Sequence, residues 1–287
     1  AQVVSSSLLS DFLDCVGQFV SVLSDSGFLS LSRLSDEQLA GTANRPGVME
    51  RYCFLLAEGQ ASVIRDIELK DGLRVGEKHC QLFTLADTSG LPSMVGSRTN
   101  YEKYSTDRTK FSVGFASPLG QLLACNHIYN QYIFLGDAGA RLKQLEAKKL
   151  RLQSLSAYSR ENAVSRDSVN DFLNEAVAAG RLAVKSHFNV LVWDEGGLKA
   201  AELKNKVSSA MAQLDAVAKL ETDGQAQIWF GGLPGNEADF PMNDTFDTFL
   251  EQACCFFNLE SNYRSSVSPF GIRLGDRLSG RPVHVDL

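Results

Sequence analysis

The sequence predicts an α+β fold that combines helices with mostly antiparallel strands. In several segments apolar side chains recur every three or four residues, as they do along one face of a helix. Other segments alternate apolar and polar residues, or form short apolar runs bounded by turn residues, which is typical of strands. In the C-terminal half the two patterns follow one another and predict a strand-helix-strand unit and a further helix. No phosphate-loop motor domain is predicted.

Residues 1–60 are predicted to be a helical segment. An amphipathic helix is expected from Ser7 to Ser24, and Gly27 is expected to end it. Its apolar face consists of Leu9, Phe12, Leu13, Val16, Val20 and Leu23. Ser35 and Gln38 have the spacing of a capping box, so a short helix should follow and end at Gly41.

Residues 61–135 are predicted to be rich in β-structure. The runs Val63–Leu69 and His79–Leu85 predict a hairpin across a turn-rich connection. Alternation from Phe111 to Phe115 and the apolar run Ile128–Leu135 predict two more strands. The segment Leu119–Cys125 fits either a strand or a helix.

Residues 136–287 are predicted to be an α+β part, although 61–287 could also form one domain. A basic helix with a narrow leucine stripe should span Asp137–Tyr158, followed by a polar break at Ser159–Ser165 and a helix ending at Gly180. The remaining predicted elements are a strand at 184–192, a helix at 203–217, a strand at 225–230, a helix starting near Asn243 with an apolar face from Phe246 to Phe257, and a closing hairpin around Ser279-Gly280.

Composition excludes several classes of protein. With 44% hydrophobic and 22% charged residues the chain resembles a soluble globular protein, and no apolar run was expected to approach the length of a membrane span. Six cysteines without regular spacing favour reduced thiols. A net charge of −6 argues against a protein whose whole surface binds nucleic acid. Both termini are interpreted as cut ends of a longer protein.

The segment Gln225–Phe246 contains the most constrained loop of the sequence. Its glycines and prolines restrict the backbone on either side of Pro234-Gly235-Asn236. A phosphate loop would need Gly-Lys-Ser/Thr, which is absent, so the alternatives are an anion-binding nest and a rigid turn or interface loop. The candidate interface residues are Gly232, Pro234, Gly235, Asn236, Glu237 and Asp239.

Other residue groups give weaker indications. His79, Cys80, Cys125 and His127 are metal-ligand types, but they lack the spacing of a zinc site. Cys254-Cys255 is interpreted as a buried apolar pair, and Asp87-Thr88-Ser89-Gly90 as a polar turn. The run Arg141–Arg166 is either a solvated helix face or a contact for a partner, DNA or an anionic membrane. Its candidate residues are Lys148, Lys149 and Arg151. The residues alone therefore predict no self-contained active site.

Long stretches of the chain resemble the TraG-type conjugation ATPases of bacterial conjugative transposons, which are related to type IV secretion ATPases. The resemblance covers most of the chain from about Glu68 onward. The stretches that carry it are 100–108 (NYEKYSTDR), 125–132 (CNHIYNQY), 155–162 (LSAYSREN), 183–191 (AVKSHFNVL), 232–241 (GLPGNEADFP) and 276–286 (DRLSGRPVHVD).

This resemblance implies a non-catalytic domain that precedes the motor domain and docks it to the secretion complex at the cytoplasmic face of the inner membrane. The implied partners are other conjugation proteins, the protein's own C-terminal motor domain and, in the full-length protein, further copies of itself. ATP and magnesium are implied for the parent protein and no cofactor for this chain. The alternatives are an enzyme with a site at residues 231–240, using Glu237 and Asp239, and a DNA-contacting domain that uses the basic helix.

Overall fold

The computed structural model describes residues 5–27, 29–194, 200–260, 270–275 and 282–286, and the chain divides into two units, Ala1–Val63 and Ile64–Leu287. Its fold is α+β, with mostly antiparallel sheets, as the sequence predicts. The turn Ser279-Gly280 and most of the 276–286 stretch lie outside the described residues.

The described part of the first unit contains three helices and one short hairpin. These elements are α1 (Ser6–Asp25), α2 (Asp36–Ala40), β1 (Gly41–Thr42), β2 (Arg45–Pro46) and α3 (Val48–Phe54). The capping box of α2 is confirmed, because Ser35 Oγ accepts from the Gln38 amide and Gln38 Oε1 accepts from the Ser35 amide. Gly41 ends α2 with a φ of +92°, a conformation that favours glycine.

Helix α1 is confirmed within one residue of each predicted end. Contrary to the expectation that no segment reaches a spanning length, α1 is long and apolar enough to cross a membrane by length and composition alone. None of that apolar window is buried in the protein.

The second unit is organised around an antiparallel sheet. The strands of this unit are β3 (Ile67–Glu68), β4 (Arg74–Val75), β5 (Lys78–Leu85), β6 (Arg98–Asn100), β7 (Ser112–Gly114), β8 (Asn126–Phe134), β9 (Ala183–Trp193), β10 (Lys219–Leu220), β11 (Phe246–Phe249), β12 (Ile272–Gly275) and β13 (Pro282–Val285). Its helices are α4 (Ala138–Leu155), α5 (Arg160–Ala178), α6 (Ala200–Ala212), α7 (Gln225–Gly231) and α8 (Leu250–Cys254).

Strand β9 is the common partner of three other strands. On one side β8 pairs with it from Lys185 to Trp193, and on the other side β5 pairs with Phe188–Trp193 and β11 with Ala183–Ser186. Nearly every residue of β9 is buried. The main apolar core lies where Phe83 of β5 and Val190 of β9 meet Val207 and Met211 of α6.

The predicted strand at 225–230 is wrong, since these residues form α7. Aromatic and β-branched residues favoured a strand, but the buried residues Gln225, Ile228 and Trp229 have helical spacing. A distant contact also holds this segment, because Gln225 Oε1 accepts from the Leu73 amide at 3.0 Å. Glu221 accepts hydrogen bonds from the backbone amides of Thr222 and Gly224 just before the helix, at 3.2 and 3.0 Å.

The predicted helix from Asn243 is also wrong over most of its length. Met242–Asp244 is a single 3₁₀ turn, Phe246–Phe249 is a strand, and only Leu250–Cys254 is helical. The physical reason is backbone pairing in the sheet. β5 pairs only with Phe188–Trp193 of β9, so the backbone of Ala183–Ser186 on the same side of β9 needs another partner, and β11 provides it.

Two smaller predictions also need correction. The expected hairpin between 63–69 and 79–85 has a further short strand, β4, between its arms. The polar break at Ser159–Ser165 is shorter than expected, because the Ser159 hydroxyl caps α5 and the helix begins at Arg160.

Candidate functional site

The loop at residues 232–239, called here the Pro-Gly-Asn loop, is fixed at both ends. Phe240 follows it and is 3% exposed, with its ring centroid 4.2 Å from that of Tyr132 and 4.8 Å from that of His187. Gly231 precedes it and packs so closely that an added Cβ would lie 2.9 Å from Phe240 Cδ2. The two ends of the loop are therefore joined by direct packing.

Hydrogen bonds within the loop fix its backbone further. The Asn236 side chain donates to the Phe230 carbonyl at 2.9 Å, and the Asn236 amide donates to the Leu233 carbonyl at 2.9 Å. Gly235 has a φ of +90°, and its amide donates to Glu237 Oε1 at 3.1 Å. The structure thus brings the predicted interface residues together in one shaped loop.

The loop presents its polar tip to solvent. Gly235, Glu237 and Asp239 are exposed, whereas Gly232, Pro234 and Asn236 are half-buried. The Gly235 amide already donates its hydrogen bond to the Glu237 carboxylate. The loop therefore supplies its own anion at the position where an anion-binding nest would hold an external one. A general acid or base is normally enclosed among other titratable groups, so the exposure of Glu237 and Asp239 gives the enzyme alternative no support.

A shallow groove lies beside the loop. Its volume is about 600 Å³, and Phe230, Asn236, Asp239 and Asn243 are among its lining residues. The Phe230 ring is 43% exposed. Amide side chains, one carboxylate and an aromatic ring can hold a polypeptide segment, since they offer both hydrogen bonds and apolar contact.

The basic residues of α4 are only partly available to a partner. Lys149 forms an ion pair with Glu146 at 3.5 Å, and Arg141 pairs with Asp247 of β11. Lys148 and Arg151 are exposed and have no ion pair within the described part of the chain. Of the three candidate residues of the basic face, two therefore have no ion pair within the described part of the chain, and the same holds for the exposed Lys143 of α4.

A buried polar network that the sequence pattern does not predict surrounds His187. His187 is fully buried, and its Nδ1 donates to the Asp244 carbonyl at 2.6 Å. Its Nε2 accepts from the Asn189 side chain at 3.0 Å, and Asn189 Oδ1 accepts from Asn130 at 3.1 Å. Burial lowers the pKa of His187 to about 4, so the ring is neutral at pH 7.

One signal in the sequence could have revealed this network. Residues 187 and 189 share a face of β9, because side chains two apart on a strand point the same way. The apolar residues Val184, Phe188, Val190 and Val192 dominate the pattern of this strand and predict its core face, whereas the polar residues between them carry no comparable signal.

The other candidate ligands are not brought together. His79 is exposed, and Cys80, on the opposite face of β5, is buried with a pKa raised to about 12. His127 donates through Nδ1 to the carbonyl of Cys125 at 2.8 Å. Within the described ranges no group of three or more His, Cys, Asp or Glu residues is arranged to hold a metal ion. Asp87 caps a 3₁₀ turn, as expected for a polar turn.

Helix α1 carries a row of exposed apolar side chains. None of its residues is buried. Seven large side chains on it are at least 39% exposed, namely Leu8, Leu9, Phe12, Leu13, Val16, Phe19 and Val22. The polar residues of α1 lie together on the opposite side, and its only charged residues are Asp11, Asp14 and Asp25. This apolar face of α1 is uncovered in the described part of the chain.

No protein-family model matches the chain, and no curated protein matches it.

Proposed function

We propose that this chain is a non-catalytic assembly domain of a conjugative DNA-transfer ATPase, which docks the motor to the secretion complex at the cytoplasmic face of the inner membrane. The apolar face of α1 carries the proposal. A patch of this kind on a soluble unit marks an interaction site. The resemblance of the later segments to TraG-type ATPases supplies the biological setting.

The chemistry of α1 favours a protein over a lipid partner. Asp14 lies near the middle of the helix, and an aspartate at the centre of a spanning helix costs about 2.5–3.5 kcal/mol. Helices that lie on membranes are rich in Lys and Arg on their polar face, whereas α1 has neither. A helical groove or bundle in a partner protein fits this surface better.

The size of the surface fits the apolar centre of a protein contact. Fully burying one large aliphatic or aromatic side chain contributes about 1.5–3 kcal/mol. At about 25 cal/mol per Å², this free energy corresponds to about 60–120 Å² of surface removed from water. The seven side chains are 39–69% exposed, so covering them removes roughly 240–480 Å² on this partner, which can form the apolar centre of the roughly 800 Å² that each partner buries in a standard interface.

DNA contact through α4 is the weaker alternative. A protein gains sequence-independent affinity from each phosphate that it neutralises. Lys148 and Arg151 provide two such cations on a chain whose net charge is −6.

The test uses the full-length ATPase in a conjugation assay. Replacing Leu9, Phe12 and Phe19 with Ser should lower DNA transfer at least about tenfold, because each loses an apolar contact worth about 1.5–3 kcal/mol. The matched control replaces Ser10, Gln18 and Ser21 with Ala on the polar side of α1 and should leave transfer unchanged. Both variants must accumulate to the wild-type level.

Three results would overturn the proposal. One is wild-type transfer by the apolar-face variant. Another is magnesium-dependent ATP turnover by the purified 287-residue chain. The third is binding of that chain to phosphatidylglycerol vesicles that disappears in the apolar-face variant, which would make the partner of α1 a lipid surface.

A further inference from the structure

Among the described residues, strand β8 forms an edge of the main sheet. All nine of its residues pair with β9, and no other strand of the described chain pairs with it. Within the described residues the backbone of 126–134 forms no hydrogen bond outside this ladder. Every second residue of an edge strand therefore directs its N–H and C=O groups away from the sheet.

The two faces of β8 are already packed, so only its backbone edge remains open. On one face Tyr129 Oη donates to the Phe256 carbonyl at 2.7 Å, and Gln131 donates to the Ala253 carbonyl at 2.9 Å. On the other face Asn130 bonds to Asn189, and Tyr132 stacks near Phe240. These contacts hold the strand in an extended shape that needs no rearrangement before pairing.

Nothing in the sequence of β8 protects this edge. Natural edge strands are commonly short or carry Lys, Pro or other charged residues that prevent pairing between molecules. Asn126–Phe134 reads NHIYNQYIF and contains no Lys, Arg, Asp, Glu or Pro. By contrast, β3 and β4, at the far end of the sheet, are two residues long and contain Glu68 and Arg74.

We propose that β8 pairs antiparallel with β8 of a second copy of the chain, about a two-fold axis at Asn130. In this register Ile128 lies opposite Tyr132 of the second copy, and the same pair recurs on the other side of the axis. Pairs of aromatic and β-branched residues stabilise antiparallel strands. His127 lies opposite Ile133, and Tyr129 opposite Gln131, so no like charges meet.

Self-complementarity is the reason for choosing a second copy as the occupant. Specific pairing with a different protein usually depends on complementary charges, which this edge lacks. A two-fold contact uses the same patch on both molecules and closes on itself. The strand is about 30 Å long, so the contact would form a continuous sheet across the two copies. This pairing does not depend on the proposed role in conjugation.

Sedimentation velocity of the 287-residue chain tests the pairing. The chain should be dimeric at about 0.1 mM, and the Ser variant of α1 should remain so. Changing His127 and Ile133 both to Lys places two Lys–Lys pairs across the interface and should weaken the dimer at least about tenfold. Changing both to Glu should have the same effect.

The charged variants provide their own folding control. Alone, each should dimerise at least about tenfold more weakly than the wild type, and an equimolar mixture should form a 1:1 dimer, since both substituted cross-strand pairs are then Lys–Glu. Hydrogen exchange of the unmodified chain gives a second readout that needs no variant, because the amides of 126–134 should become more protected as concentration rises. A wild-type monomer at about 0.1 mM overturns the proposal, as does a dimer that the α1 substitutions dissociate while both charged variants remain dimeric.

Discussion

At the scale of single residues, His187 shows how burial fixes a protonation state. Its Nδ1 proton is directed at a backbone carbonyl, which can only accept, so the neutral ring satisfies its hydrogen bonds through Nε2 as an acceptor. Protonating Nε2 would place a donor against the Asn189 amide. The low pKa of His187 follows first from burial.

Stability should therefore fall as the pH falls from about 6.5 towards 4. The unfolded state binds a proton on His187 at its ordinary pKa of 6.5, whereas the folded state resists it until about pH 4. Below pH 6.5 the unfolded state is therefore favoured by up to about 1.4 kcal/mol per pH unit. Urea unfolding at several pH values should show a total loss of roughly 3 kcal/mol from this group.

The variant His187→Gln should flatten this dependence, even if its stability at pH 7 is lower. The exposed His79 gives a matched control, and His79→Gln should retain the full wild-type slope. An unchanged slope in His187→Gln would show that other groups cause the acid sensitivity.

At the scale of elements, α7 shows why local pattern is an incomplete guide. The helix is attached to the β-hairpin before β5 by one buried contact, in which Gln225 Oε1 accepts from the Leu73 amide at 3.0 Å. These residues are 152 positions apart in sequence. A sequence pattern read over a short window contains no information about such a contact.

Gln225→Ala should lower the free energy of unfolding by about 1–3 kcal/mol, because it leaves the buried Leu73 amide without an acceptor. Gln227 lies on the exposed side of the same helix, so Gln227→Ala should change stability by about 0.5 kcal/mol or less. Chemical denaturation of both variants measures the difference. Equal effects would mean that the contact with Leu73 contributes nothing measurable.

The sequence could predict those elements whose own residues supply the periodic pattern. Leu203, Val207 and Met211 of α6 and the capping box at Ser35 are examples, and both are present in the structure. The aromatic run Ile228–Phe230 and the stripe from Phe246 were misassigned because distant partners decide their conformation. The Pro-Gly-Asn loop was recognised from its glycines and prolines, but its anchor, Phe240, required knowledge of Tyr132 and His187.

At the scale of the whole molecule, residues 64–287 contain the main sheet and its core. All strands that pair with β9 lie within this range, so the sheet does not need the first unit for its hydrogen bonds. The chain should therefore tolerate removal of residues 1–63. The shortened chain should unfold cooperatively, and its midpoint in urea should match the transition of the sheet in the full chain.

Near-ultraviolet circular dichroism follows this transition selectively, because both tryptophans, Trp193 and Trp229, belong to the second unit. A chain of residues 64–287 that lacks this signal would show that the first unit is needed for folding.

The central position of β9 also has a consequence for synthesis on the ribosome. β5 and β8 emerge well before β9, yet neither pairs with the other, and both must wait for residues 183–193. Some hundred residues separate β5 from its partner, and such distant pairings form slowly. Until about two-thirds of the chain has been made, the apolar strands remain without their partner and are open to aggregation or chaperone binding.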